Sequence, residues 1–153
     1  VLTGINRGHT VQEFAEAVDA VSRRGIDVTA HLIYGLPGDT KGNFVAAAGF
    51  LSGLGVKGVK LHHLHVVSGS GLEEPWRRGE VRVPEYAEYV GACTDFLERL
   101  CPEIAVLRLM GTAPQEMLLD PSWGKGSREM SRDVATELER RGTWQGSLRE
   151  EKR

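Results

Sequence analysis

Cysteine is nearly absent from this chain: Cys93 and Cys101 are the only two, and they stand eight apart. That spacing fits neither the paired CxxC of a zinc site nor a disulfide framework, so a reducing, cytoplasmic setting is the expectation. An excess of charge of one sign is missing too. With 19 basic and 21 acidic residues the net charge is −2, which gives no reason to expect a nucleic-acid or membrane surface. No apolar run approaches the roughly 20 residues of a membrane span. The first residues lack the basic and apolar regions of a secretory signal. Trp76, Trp123 and Trp144 follow no helical or stacking pattern, so no nucleic-acid platform is indicated.

What is present is an alternation. Val11, Phe14, Ala15, Val18 and Val21 recur at helical spacing, Thr10 with Glu13 makes a capping box, and Gly25 supplies a stop. A helix over 10–24 is expected, then a strand over 26–34. A second helix carries Phe44, Ala47, Ala48 and Leu51 and ends at Gly55. A strand over 56–67 follows, and Pro84 opens a third helix with Tyr86, Tyr89, Val90, Cys93, Phe96 and Leu97 on its apolar stripe. A third strand over 104–110 and a last helix over 127–141, closed by Gly142, complete the order. About three strands and four helices in alternation call for a parallel sheet with right-handed crossovers. A parallel sheet needs both faces covered, and these helices suffice for one. The chain also opens on Val1 rather than methionine. The expectation is a partial (β/α) barrel, with residues 1–146 as the barrel segment and 147–153 as a charged, frayed tail.

In such folds ligands gather at the carboxyl ends of the strands. Gly35-Leu36-Pro37-Gly38-Asp39-Thr40 leaves a strand and opens a helix. It is either a plain turn capped by Asp39 or Thr40, or a place where glycine lets a ligand approach the backbone. His31 and Ile33 lie two apart and so share one face of their strand. His31 is either a satisfied core histidine or a ligand contact. In "GVKLHHLHVV" strand parity puts Lys60, His62, Leu64 and Val66 on one face, with Leu61, His63 and His65 on the other. An amine such as Lys60 fits a barrel interior, beside His62, better than a helix layer. These two are the candidates for a catalytic role. His63-Leu64-His65 has an HxH form used by some metal hydrolases, but a third ligand is needed and only the loop residues Glu73 and Glu74 offer one. Metal binding by His63 and His65 is therefore an alternative, and no metal is assigned. Ser68-Gly69-Ser70-Gly71 and Gly111-Thr112-Ala113-Pro114 are candidate rim loops, with Arg108 sharing a face with Met110.

Ile5-Asn6-Arg7-Gly8-His9-Thr10, "HLIYGLPGDT", "GVKLHHLHVVSGSGL" and "LERRGTWQG" together resemble the later part of radical S-adenosylmethionine (radical SAM) proteins. The resemblance is to a bacterial Fe–S oxidoreductase subfamily related to the elongator-type branch. It implies the C-terminal half of a TIM-like barrel, with 31–40 holding the fifth strand and 58–67 the sixth. It also implies a [4Fe–4S] cluster, held by a CxxxCxxC loop, that cleaves SAM to a 5′-deoxyadenosyl radical. By this resemblance Ile33 touches the adenine, while Gly35, Leu64 and Arg7 contact SAM. His31 stands where a more distant branch carries an aspartate. No CxxxCxxC occurs in this sequence, so the expectation is a segment inactive alone, whose partners are SAM, a substrate left open and the other half of the barrel. Self-association of the isolated chain is expected, and a non-catalytic binding module is the alternative reading.

Overall fold

The computed structural model describes residues 7–149; Ile5 and Asn6 of the resemblance, and 150–153 of the expected tail, lie outside them. Helix α1, Val11–Ser22, begins where Thr10 accepts the Glu13 amide at 3.1 Å and the Glu13 carboxylate takes the Thr10 amide at 2.7 Å. This reciprocal pair satisfies two amides the first turn cannot use. Strand β1, Thr29–Tyr34, feeds α2, Lys41–Leu54, which Thr40 caps through the Asn43 amide. Then come β2, Gly58–His63, and a two-residue strand β3, Val66–Val67. A short helix α3, Glu73–Arg77, precedes α4, Tyr86–Leu97. Strands β4, Ala105–Arg108, and β5, Leu118–Asp120, lead to α5, Ser127–Arg141.

Three parallel strands in the order β1-β2-β4 form the main sheet, with Thr29 opposite Gly58 and Tyr34 opposite His63 at the two ends of the first pairing. Parallel neighbours joined through helices are what the alternating sequence calls for. The central strand supplies the core: Val59 and Leu61 are fully buried against Phe44 and Ala48 of α2, Tyr89 and Phe96 of α4, and Met130 and Val134 of α5. On one strand face alternation buries Val59, Leu61 and His63; on the other it leaves Lys60 and His62 half-buried. The expected division of this strand into two faces therefore holds through His63. Helices α4 and α5 are joined through the buried Glu98, which accepts Thr143 Oγ1 at 2.7 Å and Arg141 Nη1 at 3.2 Å; the same guanidinium nitrogen reaches Asp95 at 2.6 Å. Among the described residues no helix is long and apolar enough to cross a membrane.

Four details differ from the sequence expectation. The strand expected over 56–67 stops at His63, where the Leu64 amide donates to the Tyr34 carbonyl at 2.8 Å and the chain leaves the sheet. Leu64 consequently does not share the open face with Lys60 and His62. It is buried in a separate cluster with Val66 and Val83. Val66–Val67 pairs antiparallel with β5, a strand that its own short sequence does not announce. In β4 one extra residue enters the ladder, since Val59 faces Val106 but Lys60 faces Arg108. Finally, Ser147–Arg149, where fraying is expected, are tied to α4: the Leu148 amide donates to the Glu98 carbonyl at 2.7 Å.

Gly35 sits at the end of β1 with φ 88°. A β-carbon there would lie 2.7 Å from Pro84 Cδ and overlap Pro84 Cγ. The glycine thus admits the proline that enters α4. Gly35→Ala combines a left-handed backbone with overpacking, so it should cost about 2–4 kcal/mol of unfolding free energy. Urea titration of the two proteins checks this; an unchanged midpoint would refute the packing account.

Candidate functional site

Parallel strands place paired residues side by side, so the register assembles the open face row by row. His31 lies opposite Lys60 and Ile33 opposite His62. The His31 and His62 rings stack at 5.8 Å with 19° between their planes. Strict alternation would turn Arg108 toward the helices with Val106. The extra residue in β4 re-aims it, since a bulge puts two residues against one and here sets Arg108 against Lys60. The apolar components of this face are Leu107, beside Gly58, and Ile33, which is 39% exposed.

His62 is the centre of the group. Its Nε2 is buried without a hydrogen-bond partner among the described residues. Gly111 closes over the ring, since a β-carbon there would stand 2.5 Å from Nδ1. Burial first, then Arg108, His31, His65 and Lys60, hold the imidazole below its usual pKa. Every charged contributor is a base, so the face is an array of cations and imidazoles.

A second concavity opens at the carboxyl ends of β2 and β4. It encloses about 750 Å³ between His63, His65, the 110–113 loop and the segment 121–125. Sequence reasoning gave Trp123 no role, yet its ring lies 4.2 Å from His63 and 5.7 Å from Tyr89. The signal that could have found it is the helical pair Tyr86 and Tyr89, which presents two rings to whatever covers the strand end. His63 and His65 meet edge to face at 4.2 Å. No group of three His, Cys, Asp or Glu able to hold a metal ion occurs among the described residues. The HxH pair packs in an aromatic wall with Trp123 and Tyr89, with Gly111 also within 3.4 Å of His65 through its β-position.

Of the sequence-derived candidates, the fold gathers His31, Ile33, Lys60 and His62 on one face and sets Arg108 opposite Lys60, whereas Met110, expected to share its face, packs against the core. Gly35 joins them through its backbone alone. Leu64 is buried elsewhere, and Arg7 is exposed ahead of α1.

His63 has a consequence for pH. It is 3% exposed, its Nδ1 has no partner, and burial lowers its pKa to about 3. The unfolded chain binds a proton near pH 6.5 that the folded chain refuses, so stability falls as pH drops below 6.5. His63→Phe keeps a ring in the wall and removes that proton. It should flatten the acid limb of a plot of unfolding free energy against pH by up to about 1.4 kcal/mol per unit. An unaltered slope would mean that His63 is protonated in the fold.

Comparison with known proteins adds to this geometry. The family model of the Radical_SAM C-terminal domain matches residues 56–140, from the approach to β2 almost to the end of α5. The Methanocaldococcus jannaschii protein MJ0486 is 36% identical over 94% of this chain and 45% of its own length. YtqA of Bacillus subtilis is 32% identical with the same coverages, and Escherichia coli YhcC is 32% identical over 78% of this chain and 38% of its own. The chain thus spans less than half the length of these curated relatives. Among solved structures, N-terminally truncated archaeal Elp3 from Methanocaldococcus infernus superposes with a TM-score of 0.82 at 22% identity, over 94% of this chain and 34% of that one. This likeness is one of fold. The three parallel strands with their helices are a segment of a partial (β/α) barrel of the radical SAM type, and the chain belongs to the family of the Radical_SAM C-terminal domain.

Proposed function

We propose that this chain forms the SAM-facing wall of a radical SAM barrel, completed by an N-terminal half that carries the iron–sulfur cluster. The observation that carries this reading is Ile33, a large apolar side chain standing 39% exposed near the carboxyl end of β1, in register with His62 on the open face. An exposed aliphatic group beside the half-buried His62 fits the flat, apolar surface of an adenine. His31 and the Gly35 backbone border it. Leu64, buried in its own cluster, does not fit a contact made from inside the barrel, and Arg7 is left without a role here.

The cluster finds no cradle in this chain. Fe–S clusters are held by several thiolates; Cys93 is buried in α4 and Cys101 lies outside any CxxxCxxC. With SAM bound beside a reduced cluster held by the other half, the chemistry supplied there would be hydrogen abstraction from a substrate. The part of this chain is to bind and orient: Ile33 covers one surface of the nucleoside, while Gly111 and His31 fix the His62 ring at the rim.

The test is a longer polypeptide containing this sequence, purified without oxygen. About four iron and four sulfide per chain, with SAM cleaved to 5′-deoxyadenosine on reduction, are expected. Ile33→Ala should weaken SAM binding by about 1–2 kcal/mol, five- to thirtyfold in affinity. A protein with no iron that still binds SAM would replace this reading with a binding module; neither iron nor SAM binding would end both. The isolated chain exposes two strand edges and the open face, so light scattering should show a dimer or larger species, and a clean monomer would count against the half-barrel.

A further inference from the structure

We propose that Lys60, His62 and Arg108 form a phosphate subsite on the open face, for the phosphoryl group of a small-molecule substrate bound deeper than Ile33. It rests on the reading of this face as a barrel interior and adds a substrate class to it.

Three independent features converge. The first is placement. Lys60 and Arg108 are partners across β2 and β4, and His62 stands two residues along β2 on the same face. Lys60 and Arg108 lie two residues, roughly 7 Å, on the amino-terminal side of the row that holds Ile33 and His62, so an anion between the two cations sits deeper than an adenine at Ile33, with His62 between them. The second is composition. Neither Lys60 nor Arg108 meets a carboxylate within ion-pair distance among the described residues, whereas Lys41, Arg77, Arg78, Arg82 and Arg141 all do. A covered face holding two bare cations is unfavourable unless what covers it brings negative charge. The third is the orphaned Nε2 of His62, a buried atom with no partner, beside those cations. Burial and the neighbouring bases hold its pKa below the usual value, and even a neutral imidazole carries one N–H that can be donated to an anion.

The β4 bulge strengthens the case. It sets Arg108, rather than Leu107, opposite Lys60 in the ladder, and the Arg108 charge is felt at His62. The donors arrive from two strands and from different heights. A planar carboxylate offers two oxygens in one plane, while a tetrahedral phosphoryl group offers three that can meet donors out of plane. Two cations also match its double charge.

The experiment uses this chain with inorganic phosphate as probe, at constant ionic strength with chloride as the replaced salt. The imidazole NMR signals of His31 and His62 are followed. Saturable shifts of both, with the buried His63 signal unmoved, are expected. Lys60→Gln and Arg108→Gln should each weaken the affinity about tenfold, while Lys57→Gln, outside the cluster, should not. The unmoved His63 signal also reports that each variant is folded. Shifts that never saturate, or that both variants reproduce at unchanged affinity, would overturn the subsite. The assay involves neither cluster nor SAM, so its failure leaves SAM cleavage by the longer protein untouched. Phosphate binding without SAM cleavage would reject the cofactor reading alone.

Discussion

The burial of Val59 and Leu61 in the central strand is the constraint on which the rest of the molecule depends. A strand alternates its side chains, so sinking these two under α2 and α4 fixes Lys60 and His62 on the opposite side. The parallel register then aligns His31 and Ile33 with them. Hydrophobic burial is non-directional; the pleat converts it into direction. Every candidate residue on the open face owes its position to a neighbour in the core.

The two faces illustrate opposite treatments of histidine. His63 faces the helices, is walled in by Tyr89 and Trp123, and is held neutral by burial. His62, one residue earlier, faces the open side among cations and has an unpartnered nitrogen. The same imidazole thus serves as an aromatic filler in one place and as a latent donor in the other. Glycines at the strand ends are packing devices in both: Gly35 admits Pro84, and Gly111 admits His62.

This arrangement matches the logic of a barrel cut along its strands. The covered face has a complete core, while the other carries Ile33 and Leu107 among bases. The family comparison and the superposition place the segment in the radical SAM type of barrel, and the open face is the side on which its proposed chemistry lies.

Sequence by itself determined the four long helices, the three parallel strands and the parity of Lys60 and His62, because these follow from local periodicity, caps and the two-residue repeat of a strand; the short α3 was not among them. The resemblance of "HLIYGLPGDT" and "GVKLHHLHVV" also identified the family. Tertiary structure decided the rest. The exit of Leu64 from the sheet depends on a hydrogen bond to Tyr34 on a neighbouring strand, and the small β3–β5 pair joins segments about 50 residues apart. Arg108 reaches the open face only through a bulge defined against β2, and Trp123 acquires a role only when α4 brings two tyrosines beneath it. Each of these is a relation between distant segments, and local pattern carries no information about which segments will meet.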